Sequence, residues 1–510
     1  MKKSHLLIND SLWALTTGAA LGVVISAFSA GNFWLGWLKC GLLGAILVLG
    51  LIRVWRLTGA GRTLAMLMLV AFTLRMAFGI FLNQGLPIMG FDNPVQNTGY
   101  VFSDAHDRDQ VAYQIAVSGD AWTPQFKENI AADQYGGLLA FSTFVYGIFS
   151  ADEHRPLLMA LISAAAMTTG LAFLVSAATR KWGVKAAVIA GWIYTLYPDS
   201  ILLGSSQMRE PILICLTCLL FWSVQDWKTK PLYSMISILI ISGVTCLFSL
   251  PVAGAAITVV LGTVFFEWFN SQTKHQTRRL AILFFVVSLG VISLAGWYWL
   301  KESLSYEYSI TVSSSGWISA LLAQYGEQYK LPLITFYGLT QPLLPAALVD
   351  ESLPIWKGLA IFRAAGWFFI IPFLLYGFIS VVKNRKNENG SVLLFVSLAL
   401  AAWILISSIR AGGDQWDNPR YRTTFLPWIA IMVGWVWAHI GQGKHHWFWR
   451  IVAMEVVFVL VFLDWYLYRN FNWGPAIPFP YLILFLAASI VLIFVGGILW
   501  DKKITSKKHR

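Results

Sequence analysis

Phe102-Ser-Asp-Ala-His-Asp-Arg-Asp-Gln-Val-Ala-Tyr-Gln-Ile-Ala116 is a polar stretch in a chain that is apolar almost everywhere else. Residues 104–109 bring together Asp104, Asp107 and Asp109, with His106 and Arg108 between them. Carboxylates this close repel one another, and each raises its neighbour's pKa unless a cation or a bound molecule relieves the crowding. The stretch reads either as a solvated acidic loop or as a place for acid–base or cation chemistry at a membrane surface.

Its flanks settle the fold class. With 57% hydrophobic and 12% charged residues and a mean hydropathy of +0.64, a 510-residue chain is not a soluble globular protein. Apolar runs long enough to cross about 30 Å of hydrocarbon as helices fall at 11–30, 33–52, 63–82, 156–178, 186–203, 211–224, 232–249, 251–268, 280–298, 361–382, 391–410, 422–440, 450–468 and 481–500. The expected architecture is all-α and polytopic, with about fourteen transmembrane helices and both termini inside. Lys2 and Lys3 precede a first run long enough to span, so that run is read as an uncleaved anchor. The 25 Trp suit a chain with many membrane–water boundaries.

The net charge of +12 could signal nucleic acid, but its placement signals topology. Arg53, Arg56 and Arg62, then Arg180, Lys181 and Lys185, then Lys228 and Lys230, then Lys383, Arg385 and Lys386, and the Lys-rich tail all fall in one alternating set of loops. That is the positive-inside bias, and it excludes a nucleic-acid partner as the reason for the charge. The loops at 83–155 and 299–360 then face outside, and the first is acidic. The Gly-containing run 134–150 is too short to span and is expected to lie along the outer surface as an interfacial helix. Cys215 and Cys218 have C-x-x-C spacing but no second ligand pair, so they read as small buried hydrophobes. There is no nucleotide-binding fingerprint and no zinc-ligand set.

A helix starting near Asp107 would present Asp109, Tyr113 and Ala116 on one face, with Asp104 just ahead of it and free to converge on the same space. A second feature is a set of cations where the charge rule disfavours them. Arg410, Arg420 and Arg422 lie at one outer boundary, Arg209 at another, and Arg75 inside the 63–82 run. Membrane charges are costly and have a partner or a task, and guanidinium forks match phosphate oxygens. Carboxylates beside such arginines suit a displacement at a sugar carbon in which an Asp carboxylate, as base, deprotonates the incoming hydroxyl and arginine holds and neutralises the departing lipid phosphate.

Taken together, Asp104-Ala105 with Asp109 to Tyr113, the helix expected after Tyr135-Gly136-Gly137, the turn Ser205-Ser206 to Arg209-Glu210, and Arg420-Tyr421-Arg422 ahead of Pro427 resemble the GT-C superfamily of polytopic glycosyltransferases. This is the group that uses polyprenyl-phosphate sugars and includes protein mannosyltransferases and aminoarabinose transferases. Gln110 stands where the tighter family motif has a second acid, which leaves Asp104 and Asp109 as alternatives for the principal carboxylate. The resemblance implies a GT-C-like core over 63–440, preceded by a helix pair in 1–62 and followed by transmembrane helices and a basic cytoplasmic tail in 441–510. It implies Asp104 and Asp109 as catalytic residues, and Asp107, Tyr113, Arg209, Glu210, Arg420, Tyr421 and Arg422 as substrate-binding ones. It further implies a polyprenyl-phosphate sugar donor, a glycan, lipid or protein acceptor, and an active site on the outer face of the cytoplasmic membrane. No cofactor or metal is expected. Two other readings are a transporter or flippase of lipid-linked saccharides and a non-catalytic assembly subunit.

Overall fold

The computed structural model describes residues 2–119, 135–272, 322–324, 326–384, 389–412, 414–441 and 445–508, with scattered positions from 276 to 297. Among these residues every regular element is helical. The chain divides into one unit of Met1–Phe265 with Thr423–Ile431 and a second of Phe266–Arg422 with Met432–Arg510.

The first unit opens with α1 (Lys2–Ala27) and α2 (Phe33–Leu57). Asn32 caps α2 by accepting from the Leu35 amide at 3.0 Å. The pair closes on small residues: Gly18 lies against the Ala45 backbone and Gly22 against that of Trp37 and Gly41, where any side chain would collide. Next come α3 (Arg62–Met89), the short α4 (Pro94–Asn97), α5 (Ser103–Ser118) and α6 (Gly137–Phe149). The stretch quoted above is therefore helical from Ser103 rather than from Asp107. Asp104 sits in the first turn, where an acid complements the helix dipole. Gly119, at φ 76°, ends α5 in the left-handed conformation a glycine adopts freely.

The long α7 (Leu157–Leu196) is two helices joined at Gly183, whose φ of 84° no other residue type adopts easily. It corresponds to the expected runs 156–178 and 186–203, followed by α8 (Pro198–Gly204). Arg75 explains how the second limb ends. Pro198 has no N–H, so the Tyr194 carbonyl loses its helical donor. The Arg75 Nη2 supplies one at 3.0 Å and the Ser200 hydroxyl another at 2.7 Å, while Nη2 also donates to Ser200 Oγ at 2.6 Å. Arg75 Nη1 donates to the Ala71 carbonyl at 2.9 Å, and Gly204 leaves room for the buried side chain. The arginine inside the 63–82 run thus completes a broken helix.

Next come α9 (Glu210–Ser223), α10 (Pro231–Phe248) and α11 (Leu250–Ser271), of which the residues after Phe265 are counted with the second unit. Cys215 and Cys218 are buried on α9, as small hydrophobes would be. At about 1.5 Å per residue, the 14-residue α9 covers about 21 Å, too short to span unaided.

In the second unit, α12 (Lys330–Thr340) and α13 (Leu344–Val349) precede α14 (Pro354–Lys383) and α15 (Gly390–Ala411). Then follow the short α16 (Asp417–Thr423), α17 (Leu426–Ile440), whose residues up to Ile431 are counted with the first unit, α18 (His446–Phe471) and α19 (Phe479–Lys508). Phe462, Leu482 and Leu486 form the core between α18 and α19, and Arg450 pairs with both Asp501 oxygens at 2.7 Å. Ten described helices are long and apolar enough to cross a membrane, or eleven if the bent pair α16–α17 is one span. The chain is a multi-pass membrane protein on that basis. The difference from fourteen is local: α7 is one kinked element, α9 is short, and the run 280–298 is described only at scattered positions.

Candidate functional site

The buried face of α5 carries Ala105, Arg108, Asp109 and Ala112, the spacing of one helical stripe. Asp109 is 3% exposed, a depth at which an ionised carboxylate must be hydrogen-bonded to persist. Three side chains meet it. The Tyr100 hydroxyl donates to Oδ2 at 2.6 Å, and the Tyr146 hydroxyl reaches Oδ1 and Oδ2 at 2.8 and 2.7 Å. His154 Nε2 lies 3.0 Å from Oδ2. Burial, reinforced by the Asp109 charge, pushes both tyrosine hydroxyls well above their ordinary pKa, so they stay protonated and donate. Tyr146 arrives on α6, which approaches α10 closely because Gly137 abuts the Leu247 carbonyl.

Tyr113, one turn beyond Asp109, stacks on the His154 ring at 4.7 Å and 21°, and meets Tyr146 edge-on at 5.9 Å. Desolvation and the nearby Glu153 raise its pKa. The expectation that Asp109 and Tyr113 share a face holds.

The expected convergence of the carboxylates does not. Asp104 lies inside the helix, about 140° around it from Asp109 at about 100° per residue. Its carboxylate lies 3.8 Å from Arg108 Nη2, and its side chain is 43% exposed. Asp107 is exposed and pairs with His106 Nδ1 at 2.8 Å. Each acid has its own partner, so crowding does not govern them. Arg108 is buried, and its Nε and Nη1 have no hydrogen-bond partner among the described residues.

His154 sits in a turn held from both sides. Asp152 receives Arg155 Nη2 at 2.8 Å and Lys39 Nζ of α2 at 2.9 Å. The Arg155 hydrogen bond is the first cause that holds the Asp152 carboxyl below the usual carboxylate range. Arg155 itself is fully buried beside Gly31 and Gly36.

Elsewhere in this unit, Glu210 is buried in the first turn of α9, and Arg209 lies over the Tyr135 ring at 5.3 Å. Ser205 is committed to structure, donating to the Arg75 and Ile201 carbonyls.

The second unit gathers arginines on aromatic rings. Arg410 and Arg420 lie over Tyr421 at 4.6 and 5.2 Å, and Arg422 over Trp367 at 3.3 Å. Arg363 of α14, absent from the sequence reading, lies 4.3 Å from the Trp416 ring centre. Arg363, Arg420 and Arg422 are buried. Arg420 Nη1 is 3.3 Å from Asp417, and Arg422 donates to the Gln341 carbonyl at 2.9 Å. Asp414 caps the turn by accepting from the Trp416 and Asp417 amides, and Asn418 bonds the Gly338 and Gly412 carbonyls. Trp403 Nε1 donates to the Tyr421 carbonyl. These bonds fix the backbone that carries Arg420, Tyr421 and Arg422.

The sequence reading missed Tyr100, Tyr146 and His154, which lie 9, 37 and 45 residues from Asp109. No local pattern links them. Arg363 left one legible trace, a lone cation in an apolar run. Among the described residues no three His, Cys, Asp or Glu side chains gather as metal ligands would.

No protein-family model matches the chain, and no curated protein does. Among solved structures it is similar to the archaeal oligosaccharyltransferase AglB from Archaeoglobus fulgidus, in complex with an inhibitory peptide and a dolichol-phosphate. The TM-score is 0.37 and the identity 15%, over 84% of this chain and 55% of that one. The chain thus spans about half the length of that protein, and so distant a likeness leaves its chemistry to be argued from its own residues.

Proposed function

We propose that this chain is a membrane glycosyltransferase that moves a sugar from a polyprenyl-phosphate donor to a hydroxyl-bearing glycan, lipid or protein. It works on the outer face of the cytoplasmic membrane. The observation that carries this is the arginine cluster of the second unit. Buried guanidinium groups are expensive, yet Arg363, Arg420 and Arg422 are held in place on Trp416, Tyr421 and Trp367. Aromatic faces stabilise a cation, and a set of like charges gathered on them favours an anion. A lipid-linked phosphate is the anion such forks fit at membrane depth.

The chemistry divides by role. Arg420, with Arg363, Arg410 and Arg422, binds the donor phosphate and stabilises the charge it gains on leaving. Asp104, accessible at the start of α5, orients the incoming hydroxyl, and Tyr113 offers an aromatic face to the acceptor. Asp109 supplies fixed negative charge behind His154. Asp107, Arg209, Glu210 and Tyr421 line or support the substrates.

The test is a purified preparation in nanodiscs, supplied with polyprenyl-phosphate sugars and an acceptor panel. Free polyprenyl phosphate should appear without nucleotide or membrane gradient. The break between α16 and α17 favours a second reading, because discontinuous helices mark substrate paths in transporters. Movement of the intact lipid-linked sugar between leaflets, with its glycosidic bond unbroken, would decide for a flippase. Sidedness is checked with single-cysteine probes at the exposed Ala151 and Val184. The first should label from outside and the second should not.

A further inference from the structure

Asp109 is buried behind its own donors. Its oxygens take two tyrosine hydroxyls and His154, and only 3% of the residue reaches solvent. The partner it holds is different. His154 presents Nε2 to Asp109 at 3.0 Å, while its Nδ1 has no hydrogen-bond partner among the described residues. A carboxylate on one imidazole nitrogen fixes the proton there and leaves the other nitrogen a bare acceptor. Tyr113 stacked at 4.7 Å and Tyr146 edge-on at 5.2 Å set the ring plane. The Lys39–Asp152–Arg155 clamp fixes the turn.

The geometry points to His154 as the general base of the transfer, with Nδ1 as the proton acceptor and Asp109 as its positioning residue. The inference rests on the glycosyl-transfer reading. The acceptor oxygen forms its bond to the anomeric carbon as the carbon–oxygen bond to phosphate breaks. The electron pair leaves on the polyprenyl phosphate, and the hydroxyl proton passes to Nδ1. The imidazolium so formed faces the Asp109 carboxylate and then returns the proton to water. The charged groups around the ring are Asp109 across it and Asp152, Glu153 and Arg155 on its own turn. Tyr113 and Tyr146 remain neutral hydroxyls, their pKa values raised.

Two measurements test this. His154→Gln keeps an N–H to face Asp109 but removes the base. Transfer should fall by about a hundredfold or more, with the donor KM little changed and the acid limb of the pH profile abolished. In nanodiscs, 15N-histidine spectra, with the His154 signal assigned by its loss in His154→Gln, should show the neutral ring protonated on Nε2. Asp109→Asn, whose amide can donate to Nε2, should move that proton to Nδ1 and lose transfer to a similar degree. A wild-type ring protonated on Nδ1, or a His154→Gln enzyme with wild-type rate and pH profile, would overturn the proposal. If the wild type transfers nothing across the panel, the glycosyl-transfer reading fails instead, and the tautomer still decides the dyad.

Discussion

The Asp109 pocket of the first unit and the arginine cluster of the second solve the same problem in opposite ways. Each keeps charge out of water. In the pocket, a carboxylate is surrounded by neutral donors that could equally be hydrogen-bonded elsewhere, and burial keeps the two hydroxyls protonated. In the cluster, permanent cations rest on aromatic faces, which attract them. The first arrangement encloses one charge in hydrogen-bond donors, and the second gathers several charges of one sign on rings. A buried charge met by its own donors organises its neighbours, and the ligand role proposed for the ring-supported charges is what the variants below test.

The sharpest way to break this contrast is at Arg420. Arg420→Ala should lower transfer by about a hundredfold to a thousandfold, the range for losing one oxyanion-stabilising donor. Arg420→Lys, keeping charge without the fork, should retain an intermediate rate. Binding of polyprenyl phosphate should weaken in the same order. Wild-type affinity in both variants would leave the cluster without a ligand.

Asp104→Asn should come next, lowering acceptor-dependent turnover by about a hundredfold while donor binding stays constant. Expression should be unaffected, because its side chain is 43% exposed. Asp107→Asn, on a more exposed carboxylate, should be milder. Equal activity of all three proteins would return the stretch to a merely solvated role.

Tyr146→Phe probes closure instead of catalysis. It removes a donor to the buried Asp109 and should cost about 1.5 to 3 kcal/mol, the range for a hydrogen bond to a charged group, read by thermal melting in detergent. Arg75→Leu leaves the Tyr194 carbonyl to Ser200 alone and should also destabilise, with transfer per folded molecule unchanged. A rate loss there at wild-type stability would move Arg75 from the structural arginines to the functional ones.

The smallest effect belongs to Asp152. Its carboxyl is held below the ordinary range by Arg155, so the link contributes stability that is fully present above the unfolded carboxylate pKa of about 4. That contribution fades as pH falls from there through the folded value. Asp152→Asn should melt slightly lower at pH 7, and the gap from wild type should narrow on acidification below about pH 4.

Sequence alone determined that this chain is helical and membrane-embedded, because apolar length and basic-loop bias act along the chain and need no partner. It also singled out the Asp109–Tyr113 face and Arg420, Tyr421 and Arg422, since helical spacing and charge in apolar surroundings are both local signals. Tertiary structure alone decided what those residues touch. Asp104 and Asp109 differ in exposure because one face of α5 packs and the other does not. Arg75 parted from the other misplaced arginines because Pro198, far along the chain, left the Tyr194 carbonyl without a donor. His154, Tyr100 and Tyr146 joined Asp109 through packing across separate helices and turns. Hydrogen-bond partners are chosen in space, and no periodicity in the sequence encodes that choice.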